Sequence, residues 1–97
     1  MASIEASCGT GDGGWRCTVT VRDEAGTTRH EVTVSDDDAT RLAAALDEAD
    51  VERLLYETFD FLLEREPKES ILSSFDLSVV NRYFPDYEHE IRSRLAP

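Results

Sequence analysis

The side chains able to do chemistry stand far apart in this chain. Cys8, Cys17, His30 and His89 are its only thiols and imidazoles. A zinc site needs four ligands at close spacing; there is no CxxC pair, and neither histidine lies at ligand spacing from a cysteine, so no metal is expected. Cys8 and Cys17 fall on the same face of adjacent predicted strands, where a disulfide is geometrically open to them if the register sets them opposite. The stretch Met1–Glu5 has neither a basic n-region nor an apolar h-region. A cytoplasmic protein with reduced thiols is therefore the expectation. His30 sits beside Val32 with no Ser or Cys in a nucleophile pattern around it, and reads as a core-edge histidine holding a backbone partner. His89, between Glu88 and Glu90, reads as a surface residue.

Two further segments invite a chemical reading. Gly9-Thr10-Gly11-Asp12-Gly13-Gly14 has the composition of a phosphate-cradling loop, but such loops run into a helix N-terminus and this one runs into a strand. A flexible hairpin connection is the expectation. Asp36, Asp37 and Asp38 are consecutive, and consecutive helical positions point about 100° apart. They cannot converge on one cation and instead suit the first turn of a helix. No catalytic residue and no cofactor site emerges, so the chain reads as a non-enzyme.

What remains is surface recognition. Tyr56, Tyr83 and Tyr87 lie among many carboxylates, and tyrosine is enriched at interfaces. They are the candidate contacts for an unidentified protein partner. The alternative is a helix-turn-helix over residues 71–84, in which Ser78, Val79, Asn81 and Arg82 would face a major groove. Charge argues against nucleic acid. The chain has 10 Lys+Arg against 21 Asp+Glu, a formal −11, and DNA affinity rests on phosphate neutralisation. Residues 36–66 carry eleven of the acids against Arg41, Arg53 and Arg65.

The elements that must position these groups follow from periodicity. Ile4, Ala6 and Cys8, then Trp15, Cys17, Val19 and Val21, then His30, Val32 and Val34 alternate with polar neighbours, the period of half-buried strands. Ser35 is an N-cap candidate, with Ala39, Leu42, Ala43 and Leu46 behind it at helical spacing. Asp50 is the next cap candidate. From there Val51, Leu54, Leu55, Thr58, Phe59, Leu62 and Leu63 keep one helical stripe, widened by Tyr56 and Phe61, up to Pro67. A stripe so broad suggests a helix packed on two sides, or a homodimer formed through helix 51–66. Three shorter helical pieces are expected after Pro67, the last opening at Pro85.

The fold expected is α+β in a single domain, 1–97: a three-stranded antiparallel meander over about residues 2–34, then several helices over about 36–95 packed on one face of the sheet. The core is assigned to Ile4, Trp15, Val19, Val21, Val32, Val34, Leu42, Leu46, Leu54, Leu55, Phe59, Leu62, Ile71, Phe75, Val80, Phe84, Ile91 and Leu95. No apolar run is long enough to span a bilayer. The block Phe61–Leu72, continuing through Phe75-Asp76-Leu77 to Arg82–Glu88, resembles the C-terminal segment of small bacterial proteins of no assigned activity. That resemblance implies a bacterial stand-alone domain and no function.

Overall fold

A computed structural model describes residues 2–45 and 47–96. The alternating front third forms β1 (Ser3–Gly11), β2 (Gly14–Asp23) and β3 (Gly26–Ser35), joined as an antiparallel meander. Strand β1 runs through Gly9 and Gly11, so the glycine-rich segment is mostly ladder and only Asp12-Gly13 turns. Glycine is required at two of these positions. Gly13 has φ +73, and a Cβ on Gly14 would lie 2.2 Å from the carbonyl oxygen of Val34. The even residues of β1 and β3 and the odd residues of β2 face the helices, while Arg16, Arg22, Arg29 and Glu31 stand on the open face.

The register places Cys8 directly across from Cys17, and the two form a disulfide with Cα atoms 4.1 Å apart. This corrects the expectation of reduced thiols. A separation that short marks a pair whose backbone groups point away from each other. The Cys8 N–H accordingly faces outward and donates to Glu52 at 2.9 Å, so a helix carboxylate satisfies one amide on the sheet edge.

Ser35 caps α1 (Asp36–Ala43) by accepting from the Asp38 N–H, with the three aspartates in the first turn. The next helix, α2 (Glu48–Leu63), is capped by Asp47, which accepts from the Asp50 N–H at 3.1 Å. Asp50 is thus a first-turn residue and not the cap. Helix α2 packs on β1 and β2 along one side and on α1 and α4 (Tyr87–Leu95) along the other. Val51, Leu54, Leu55, Phe59, Phe61 and Leu62 are all buried within the chain. These stripe residues are covered by the chain's own sheet and helices, while Tyr56 stays exposed.

After Pro67 the chain departs from the helical expectation. Lys68–Ser70 make a single 3-10 turn, Ser74–Asp76 form a fourth strand, β4, parallel to β3, and α3 spans only Ser78–Tyr83. The sheet has four strands in the order β1-β2-β3-β4. Ile71, Leu72 and Phe75 fit a helical face, but Phe75 and Leu77 fit a strand equally well, and the serines between favour extended backbone. Pairing of Phe75 with Val32 decides the matter, placing the Phe75 ring 6.2 Å from that of Phe59.

The core holds the expected residues, with Ile4, Trp15, Phe75, Phe84 and Leu95 partly buried around it; Leu46 lies outside the described residues. It also takes polar side chains, among them Tyr87, Thr58, His30 and Lys68. Tyr87 donates to the Thr58 hydroxyl at 2.7 Å, and Thr58 in turn donates to the Leu54 carbonyl. Burial raises the Tyr87 phenol well above its usual range, with Asp38 and Glu88 adding to the effect. His30 is buried against Phe59, its ring 5.2 Å away. Lys68, only 1% exposed, is held between Asp23 at 2.7 Å and Glu69.

Candidate functional site

The last third of the chain builds an apolar cleft of about 430 Å³ between the end of α2, β4 and α3. Leu62, Ile71, Phe75, Val80 and Phe84 line it, and Leu72, Val79, Tyr83, Glu66 and Ser70 complete it. Its volume falls in the range of pockets that hold ligands or partner side chains. Leu72 is 50% exposed and Tyr83 is 69% exposed, two of the three large apolar side chains that the described residues leave open to water.

Each wall is held by specific contacts. The Leu72 carbonyl accepts from Nδ1 of His30 at 2.8 Å, which requires the proton on Nδ1. Nε2 then accepts from the Thr28 hydroxyl at 2.9 Å. A core histidine thus pins the backbone of a residue whose side chain stays at the surface. Asp76 fixes the start of α3 by accepting from the N–H and the hydroxyl of Ser78, and from Thr33 at 2.7 Å. Burial opposes ionisation of Asp76, but the Ser78 and Thr33 hydrogen bonds outweigh it and hold the carboxyl below its ordinary range. At the far wall the Arg65 guanidinium lies 3.5 Å from the Phe61 ring centroid and reaches toward Phe84, a cation–π stack closed by Phe61 on Phe84 edge to face.

Of the tyrosines expected at an interface, the structure brings only Tyr83 to this cleft. Tyr56 is 47% exposed on α2 and lines no part of it. Tyr87 is 1% exposed, and its hydroxyl is committed to Thr58, so it offers no surface. The helix-turn-helix reading fails on architecture, because β4 occupies the place of its first helix and α3 has six residues. Ser78 serves as a capping partner of Asp76, Val79 faces the cleft, and Asn81 belongs to a shallow depression with His89 and Arg92. Arg82 is exposed and its charge is felt by Asp76. The hollow over the glycine turn sets Asp12 and Asp76 against Arg16, so its charged lining is acid-dominated.

Sequence reasoning missed Glu66, Ser70 and Leu72 as site residues. Nothing in their own types or spacing marks them; they become neighbours only when β4 docks on β3. No group of three or more His, Cys, Asp or Glu among the described residues could hold a metal ion. Comparison of the chain with protein-family models, with curated proteins and with solved structures finds no match.

Proposed function

We propose that this chain is a non-enzymatic protein-interaction domain that docks another polypeptide on the cleft between α2, β4 and α3. The observation that carries the reading is the pairing of an apolar cavity with two exposed apolar rim residues, Leu72 and Tyr83. Exposed apolar patches framed by polar surface mark interaction sites. The non-enzymatic part is supported by how the reactive groups are used: both nitrogens of His30 are hydrogen-bonded in the core, and the two thiols are joined to each other.

The rim gives a direct test. Leu72→Ser combined with Tyr83→Ala changes only exposed side chains, so the melting temperature should move little. Proteins captured from lysate by the parent and lost with the double variant would support the cleft as the docking surface. An identical captured set with both would overturn it.

No helix among the described residues is long and apolar enough to cross a membrane. A cytoplasmic location remains the proposal that the sequence suggested, and the disulfide weighs against it, because such bonds are rare where glutathione keeps thiols reduced. The oxidation state of Cys8 and Cys17 in the cell decides between the two.

A further inference from the structure

We infer that the occupant of the cleft is a basic amphipathic segment of another protein, its apolar side chains seated against Phe75, Val79 and Tyr83 and a lysine or arginine beside them paired with Glu66. This rests on the cleft being a docking surface and adds the chemistry of what docks.

Glu66 is the reason for the cation. It is partly buried and lines an apolar cavity, yet among the described residues its carboxylate has no hydrogen-bond or ion-pair partner. Asp60, Glu64, Glu69 and Asp86, by contrast, each have a cation. Arg94 binds Asp60 and Glu64, Arg65 binds Glu64 and Asp86, and Lys68 binds Glu69. The carboxylate still reaches water in the free chain; an occupant covering the cleft would remove that water, and a hydrogen-bonded cation beside Glu66 offsets the cost. The net −11 acts in the same direction at longer range, drawing in basic segments and repelling a second copy of this chain. An amphipathic helix or strand with apolar anchors flanked by Lys or Arg meets both demands.

The experiment is an NMR and calorimetric titration of the oxidised protein with three synthetic peptides at low and physiological salt. One combines leucine and lysine in an amphipathic pattern, the second replaces its lysines with glutamine, and the third replaces its leucines with serine. The Leu/Lys peptide should bind at least about tenfold more tightly than either control, with shifts centred on the cleft residues. Glu66→Gln should weaken it by about fivefold to tenfold and leave the Leu/Gln peptide unchanged. Glu48→Gln, the same charge change at the end of α2 remote from the cleft, should have little effect. If the Leu/Gln peptide binds the cleft as tightly as the Leu/Lys peptide, the cation is wrong and the docking surface stands. If the Ser/Lys peptide binds equally well, or Glu48→Gln matches Glu66→Gln, attraction is diffuse and the inference falls. If no peptide shifts the cleft, both the inference and the docking surface fail.

Discussion

Lys68, the only lysine in the chain, anchors the 3-10 turn after α2 to the β2–β3 turn. Its partner Asp23 also accepts from the Ala25 N–H at 2.8 Å, so one carboxylate organises its own turn and receives a distant cation. The Lys68 hydrogen bond holds Asp23 and Glu69 below their ordinary values of 3.8 and 4.5, and Asp23 holds Lys68 above 10.5. A depressed carboxyl contributes stability that is present above its ordinary value and lost as pH falls through the folded one. A raised lysine contributes stability that is present below its ordinary value and lost as pH rises through the folded one. The contact therefore stabilises the fold from about pH 5 to pH 10. Because both carboxylates are open to water, the effect is screened and modest. In Lys68→Met the melting temperature should fall less steeply than in the parent, both below pH 4.5 and above pH 10.5. Parallel pH profiles would show that the contact carries no weight.

At the scale of elements the disulfide joins β1, the edge strand of the sheet among the described residues, to its neighbour β2. Glu52 on α2 makes the second tie, through the Cys8 amide. Edge strands without such ties invite slippage and pairing with other chains. The cysteines are 9 residues apart, and closing so short a loop stabilises by roughly 2–3 kcal/mol in the chain-entropy account. For a domain of this size that corresponds to about 10–20 °C in melting temperature. Reduction, or the Cys8→Ala/Cys17→Ala variant, should produce a drop of that order. Intact mass under non-reducing conditions should be two hydrogen masses below the reduced value. A protein that melts identically with and without reductant would show that the tie is idle.

For the whole molecule the charge decides behaviour in salt. The chain extends 34 × 26 × 25 Å and carries −11. At 0.01 M ionic strength the screening length is about 30 Å, so nearly every acid feels every other; at 0.1 M it is about 10 Å. Added salt also weakens the local ion pairs, among them Arg94 with Asp60 and Glu64 and Arg41 with Asp38 and Glu88. Those pairs lie within a few ångströms and are screened less than the long-range repulsion. Raising sodium chloride from 0.01 M to 0.1 M should therefore raise the melting temperature by a few degrees. A decrease would mean that the ion pairs outweigh the net field.

The sequence by itself determined the elements whose information is local. Alternation specifies β1 to β3, although the sequence reads all of Gly9–Gly14 as a connection and only the ladder carries β1 on to Gly11; the stripe of α2 names the residues it buries; Ser35 announces α1. His30 was likewise legible as a histidine with a backbone partner, because its strand fixes the face it points to. Only the tertiary structure decided what depends on distant partners. Thr33 and Asp76 lie 43 positions apart, and until β4 finds β3 the residues from Ile71 to Leu77 fit a helix as well as a strand. Tyr87 reads as a surface aromatic until α4 packs its hydroxyl onto Thr58. The cleft has the same origin. Glu66, Leu72 and Tyr83 share no period, and a concave apolar surface forms only where separately specified elements fail to cover one another.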